Sequence, residues 1–372
     1  MGDPRGACFE MVRISDGDQL SDGGLALQED QMMSAGQALV TSLSASVTRA
    51  CGEEAETIDV RPYIGYFPGA GGRNQFLLLL KPEVTLAGSP ANLRATLDLL
   101  LSTLHRWGIA IGGIRVFSST FVRTHHLVPS LYRILHRVSM YGVAGMSQGS
   151  LARLMKLFSG VRAEEQIRGA YQFLADNDHV TARSLSVMGD SVGTVKIGSG
   201  VYAVALPIKG HSMVVLNPFH PHQASWLSMP GSCLVAFECF TNHEWRVLRS
   251  QVAGGIEPCI AAIGSLRRTL YDQQEKLGLL RSLCIAYNGI HVSPGPVEAL
   301  FQLTDLFAPQ ACDHLPITSL GRLLTRQQLA RLLSLGRDAA RLSAISGETI
   351  FDVTEDVDTE DVVPLVAHFL KT

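Results

Sequence analysis

The stretch Asn74-Gln-Phe-Leu-Leu-Leu-Leu-Lys81 restricts the fold more than any other part of the chain. Phe76 to Leu80 are apolar without interruption, so an extended chain here would have no face left for water. Such a strand has to lie inside a sheet covered on both sides. It ends in Lys81-Pro82-Glu83, and an amphipathic helix is expected from Asn92 to Gly108 on Leu93, Leu97, Leu100, Leu101 and Leu104. Gly108 closes that helix, and Ile109 to Phe117 reads as the next strand. The order is strand, helix, strand.

The remaining composition supports such a core. In 372 residues, 46% are hydrophobic and 17% charged, which excludes global disorder and leaves room for two domains or one enlarged domain. A net charge of −3 gives no whole-chain attraction to nucleic acid or anionic lipid, so neither is expected as a partner. Seven cysteines, odd in number and without a CxxC spacing, read as buried thiols in a reducing setting. The N-terminus lacks the basic-then-apolar pattern of a signal peptide, and no apolar run approaches a membrane span. The expectation is a soluble, cytoplasmic protein.

Residues 1–23 read as a loose tail and Gly24 to Cys51 as a helix. Tyr66 to Gly72 is a glycine-rich breaker without the Gly-Lys-Ser/Thr of a phosphate loop, and is taken as a domain boundary. Leu127 to Tyr141, Ser150 to Phe158 and Ala163 to Leu174 read as helices; Val192 to Ile208 and Ser212 to Leu216 read as strands. On an extended segment His220 and His222 would point the same way and could reach one metal ion. No cysteine or acid cluster completes a ligand set, which favours a Pro-rich loop lining a pocket. Ser232 to Thr241 reads as a strand, and a helix through Trp245, Val247, Leu248 and Val252 follows. A charged helical piece is expected at 269–282, and further helices at Ser319 to Leu335, Asp338 to Ile345 and near the end of Ile350 to Lys371.

The chemistry concentrates in Asn288-Gly-Ile-His291-Val-Ser293-Pro-Gly-Pro, which leads into an apolar-faced helix ending at Phe307. Ser293 is expected as the N-cap and Pro294 as the first helical residue, which would hold His291 beside a helix N-terminus, a favourable place for phosphate. This segment resembles the active-site segment of the nucleoside-diphosphate kinases, Asn-x-(Ile/Val)-His-x-Ser followed by a helix ending in an aromatic. Two further agreements accompany it. The family opens with an apolar strand ending in Lys-Pro-Asp, where this chain has Lys81-Pro82-Glu83. The family also has Gly-x-Thr-x-Pro and, nine residues on, an arginine inside Gly-(Ser/Thr)-(Ile/Leu)-Arg, which here are Gly254 to Pro258 and Gly264-Ser-Leu-Arg267.

The resemblance implies a fold, an α+β ferredoxin-like βαββαβ antiparallel sheet. It divides the chain into an N-terminal tail and helix (1–73), a core (74–141 and 231–310), an inserted α/β segment (142–230) and a C-terminal helical extension (311–372). It also implies an activity, transfer of a γ-phosphoryl group through phosphohistidine on His291, with Mg2+ arriving on a nucleoside triphosphate such as ATP. Lys81 and Arg267 would neutralise the phosphates, with Arg249 and Tyr132 beside them, Asn288 on sugar and phosphate, and Ser293 on the leaving or accepting oxygen. The family oligomerises, so a homo-oligomer is expected.

Three positions depart from the family pattern. Ile256 replaces a phosphate-contacting threonine, and Arg249 stands one residue out of register. Gln302 replaces the glutamate that, eleven residues after the histidine, orients it. An amide there could accept a hydrogen bond from the imidazole, or Glu298, one turn earlier, could take over. Three readings follow: a phosphohistidine kinase with an altered acceptor, another enzyme binding a nucleotide or phosphorylated metabolite on the same scaffold, or a non-catalytic nucleotide-binding protein.

Overall fold

In the computed structural model, which describes residues 22–60, 72–160, 166–208, 210–307, 319–336 and 347–371, the apolar run is strand β2 of the main sheet. All seven residues of β2, Asn74–Leu80, are buried. The sheet also contains β1 (Thr57–Val60), β3 (Ala110–Ser118), β8 (Cys233–Thr241) and β9 (Ile290–Val292), in the order β1-β3-β8-β2-β9. Every neighbouring pair is antiparallel; Asn74 faces Thr241 and Leu80 faces Val235, while Leu78 and Leu80 on the other side face Val292 and Ile290. The fold is therefore mixed α/β, built on antiparallel pairing.

The alternation along β2 explains why its sequence has no polar positions. Phe76, Leu78 and Leu80 enter one core with Leu97 and Leu104 of the Pro90–Arg106 helix and Leu43 and Val47 of the Asp22–Cys51 helix. Leu77 and Leu79 point the other way, to Leu127, Leu131, Leu303 and Leu306. Each such leucine contributes about 1.5–3 kcal/mol on burial, so the run anchors both layers. The Pro90–Arg106 helix is capped by Ser89, whose hydroxyl accepts from the Asn92 amide at 3.2 Å, and turns out through Gly108 at φ +61°.

A second sheet fills 142–230, in the order β4-β7-β6-β5 (Ile167–Gly169, His211–Leu216, Val201–Ile208, Val195–Gly198). Its inner face packs with the C-terminal helices in a third core that includes Val214, Leu216, Ile350 and Val366. The Pro296–Phe307 helix belongs to all three cores, through Ala299, then Val297, Leu300 and Phe301, then Leu303 and Leu306. The second sheet is mixed, because β4 and β7 run parallel.

Several local expectations change. The helix after His291 starts at Pro296 rather than Pro294, with the Ala299 amide bonded to the Gly295 carbonyl at 2.9 Å. Pro296 disfavours the helical conformation at Gly295 before it, and Ser293 is drawn to the sheet, bonded to Leu77, instead of capping. His291 itself lies on β9. The expected Ala163–Leu174 helix is β4 followed by a helix from Ala170 to Asp176. The Leu127–Tyr141 helix is broken at Tyr132 (φ −122°, ψ 51°). His220 opens a helix, His220–Leu227, rather than lying on an extended segment. Residues 1–21, Tyr66 to Ala70 of the breaker cluster with residue 71, and the helix expected at 338–345 lie outside the described residues. Among the described residues no helix is long and apolar enough to cross a membrane.

Candidate functional site

The site forms where the end of β2 meets β9. The Lys81 amide donates to the Gly289 carbonyl at 2.9 Å, and Gly289 takes φ +78°, a left-handed turn that brings Asn288 and His291 against the strand end. Arg267 comes from the first turn of the Leu266–Gln273 helix, whose cap is Ser265. Arg249 comes from a π-helical segment, Leu248–Ala253, and Tyr132 from the break between two helices. Lys81, Tyr132, Arg249, Arg267, Asn288 and His291 all line one cavity of about 1080 Å³.

The cations in this cavity are not equivalent. Lys81 is buried and lies 3.5 Å from the Glu83 carboxylate; burial lowers its pKa, and Glu83 opposes that. Arg249 is held by Asp356 at 2.7 Å and Glu355 at 3.0 Å, and Lys196 shares Glu355 at 3.0 Å. Arg267 differs. Among the described residues its guanidinium donates only to carbonyls, Gly254 at 2.5 Å and Ile290 at 3.2 Å, and its Nε has no hydrogen-bond partner. Burial, reinforced by the charge of Arg249, brings its pKa down to about 10, still fully charged at neutral pH. A buried cation whose hydrogen-bond partners are neutral favours an incoming anion.

The state of His291 follows from a chain of hydrogen bonds that begins in β2. The Leu77 amide donates to the Ser293 hydroxyl at 3.0 Å, so that oxygen accepts there. Its single proton then goes to Gln302 Oε1 at 2.7 Å. With the amide oxygen thus assigned, Gln302 Nε2 donates to the Leu131 carbonyl at 3.0 Å. Its second proton points at His291 Nε2, 3.1 Å away. An imidazole nitrogen facing an N–H must accept, so the proton of neutral His291 resides on Nδ1. Burial pushes the pKa of His291 down to about 3, and the charges of Lys81, Arg267 and Arg249 reinforce this. The ring is neutral, with its N–H on the nitrogen that Gln302 leaves free.

This corrects the expectation that Gln302 accepts from the imidazole, because the Leu131 carbonyl and the Ser293 hydroxyl turn the amide the other way. Ser293 is 0% and Gln302 1% exposed, and both stand behind His291, outside the cavity lining. Ser293 is therefore not available to a leaving oxygen. Glu298 does not replace Gln302 at the imidazole, but it does line the cavity. Burial and the nearby Glu355 raise its pKa to about 8, against the pull of Arg249, Arg133 and Lys196.

The histidine pair does not converge. His220 is fully buried against His136, with Nε2 and Nδ1 3.0 Å apart, and burial lowers its pKa to about 3. His222 turns to the Tyr287 hydroxyl at 2.5 Å and lines the cavity. Among the described residues no cluster of three metal-ligating side chains occurs. Sequence reasoning missed Tyr202 and Tyr287 as lining residues; Tyr287 adjoins Asn288, but nothing in its own context marks it.

No family model matches the chain, and no curated protein matches it. Among solved structures, an NDP kinase from Pyrobaculum aerophilum aligns with a TM-score of 0.31 and 16% identity, covering 63% of this chain and 94% of its own. A likeness of that size assigns neither a family nor an activity.

Proposed function

We propose that this chain is a nucleotide-dependent enzyme, a phosphotransferase on a nucleoside-diphosphate-kinase-like scaffold, whose cavity takes the phosphates of a nucleoside triphosphate or a related phosphorylated small molecule. The observation that carries this reading is Arg267, a buried cation bonded, among the described residues, only to carbonyls, on the same cavity as Lys81 and His291. The connection β2, helix, β3, β8, helix, β9, with sheet order β3-β8-β2-β9, supports a ferredoxin-like core for that scaffold.

A phosphohistidine relay would need a lone pair on His291 Nδ1. The hydrogen-bond chain through Ser293 and Gln302 favours a proton there, so His291 acts as a fixed donor to a phosphate oxygen and the transfer bypasses the ring. Mg2+ fits as a companion of the nucleotide, held by its phosphates, since Glu355 and Asp356 are committed to Arg249. Phosphate charge would be neutralised by Arg267 and Lys81.

Calorimetric titration with Mg-ATP tests this. Wild type should bind, and Arg267→Gln should bind about 10- to 100-fold more weakly, the loss of one charge-assisted hydrogen bond. Arg267→Lys keeps the charge and controls for folding. Absence of binding to ATP, ADP and pyrophosphate, or equal affinity in Arg267→Gln, would sink the reading.

A further inference from the structure

Of the carboxyls on the cavity, Glu355 and Asp356 are salt-bridged and Glu257 accepts from the Cys259 thiol, while among the described residues Asp190 and Glu298 have neither a hydrogen bond nor an ion pair, and of these two only Glu298 stands on the helix that carries Gln302. It projects from the Pro296–Phe307 helix one turn before Gln302, the residue that touches His291, so it shares that helix face with the imidazole's support. We propose that Glu298 is the general base of the transfer, and that the acceptor is therefore an un-ionised hydroxyl, an alcohol or water, rather than a phosphate.

The chemistry distinguishes the two acceptor classes. A diphosphate acceptor is already ionised at neutral pH and needs no base. A hydroxyl acceptor must lose its proton as its oxygen bonds to phosphorus. In the step assigned here the acceptor oxygen forms a bond to the γ-phosphorus while the bond from that phosphorus to the β–γ bridging oxygen breaks. The electron pair leaves on the nucleoside diphosphate, and the hydroxyl proton passes to a Glu298 carboxylate oxygen. The groups around Glu298 set its titration: Glu355 raises it, while Arg249 from the π-helical segment, Arg133 from the neighbouring helix and Lys196 from β5 lower it. Tyr132 and Tyr202 also feel its charge, and burial keeps both phenols neutral. With a pKa of about 8, roughly one-tenth of the molecules carry ionised Glu298 at pH 7.

This inference rests on the nucleotide reading, and its test separates the two. Water is the hydroxyl acceptor always present, so the assay follows release of labelled inorganic phosphate from γ-labelled Mg-ATP by the full chain. Wild type should hydrolyse slowly, with a rate that climbs as pH rises toward about 8 and then levels. Glu298→Gln, close in shape to the protonated residue, should lose about 100-fold or more in rate. Its ATP affinity and melting temperature should stay unchanged, which a merely structural role would not predict. Undiminished hydrolysis in Glu298→Gln, a flat pH profile, or no hydrolysis by a wild type that binds ATP would overturn the assignment. Failure of wild type to bind ATP would instead remove the nucleotide reading, and this one with it.

Discussion

Replacing Gln302 by glutamate should convert His291 from a donor into a nucleophile. In the wild type the alternative tautomer, with the proton on Nε2, would set that N–H against the Gln302 N–H. Leaving a buried donor unsatisfied costs about 1–3 kcal/mol. That corresponds to roughly a 5- to 150-fold preference for the Nδ1–H form, so the Nδ1 lone pair is present in only a small fraction of molecules. A carboxylate at 302 still accepts from the Ser293 hydroxyl, but now also accepts from His291 Nε2–H, which frees Nδ1. The same charge should raise the pKa of His291 from about 3 by about 1–3 units. The stability cost is the Leu131 carbonyl, which loses its donor, again about 1–3 kcal/mol. Nitrogen-15 NMR of the ring reports the tautomer directly, and brief exposure to γ-labelled ATP reports acid-labile label on the protein. Gln302→Glu should label on the order of 10- to 100-fold faster than wild type, with His291→Ala in the same background abolishing it. A wild-type spectrum of the Nε2–H form, or stoichiometric acid-labile label on wild-type His291, would refute the chain of donors and acceptors.

Two other outcomes follow from buried polar groups. Burial holds His220 at about 3, below its unfolded value of 6.5, so its folded form stays neutral while the unfolded chain takes up a proton; that contribution is whole above pH 6.5 and shrinks as pH falls toward 3. Between pH 6.5 and 5 the loss from this residue is about 2 kcal/mol, so urea unfolding of His220→Phe should show a pH slope smaller than wild type by about that amount, with His291 still contributing to the remainder; equal slopes would contradict it. Ser293→Ala should cost roughly 2–5 kcal/mol in urea, since the Leu77 amide and Gln302 Oε1 both lose their partner; a change below about 1 kcal/mol would mean that the hydroxyl does not fix the amide.

Much of the scaffold was legible because its signals are local. The unbroken apolar run of β2, the leucine spacing of the Pro90–Arg106 helix and the strand at Cys233–Thr241 each lie within about twenty residues. Lys81, Arg249, Arg267, Asn288 and His291, chosen from scattered short motifs, meet at one cavity. What sequence could not give is the direction of a hydrogen bond. The amide of Gln302 is turned by a carbonyl 171 residues away, and nothing near Gln302 announces Leu131. From sequence Glu298 stands only as a substitute for Gln302 at the imidazole; its place on the cavity, near the charge of Glu355, comes from the fold. The His220–Leu227 segment was misread because proline at its second position suits a first helical turn as well as an extended loop. The edge strand β1, only four residues long, left no pattern to find.

The Pro296–Phe307 helix, shared among three apolar clusters, ties the chemistry to the whole polypeptide. Removing the C-terminal helices from Ser319 onward to recover a minimal enzyme would strip Val297, Leu300 and Phe301 of cover, Phe301 losing the Phe351 ring against it, and the shortened chain should aggregate rather than work. A helix held from three directions also has little freedom to tilt, so whatever enters the cavity must conform to the placement of Glu298 and Gln302 instead of remodelling it.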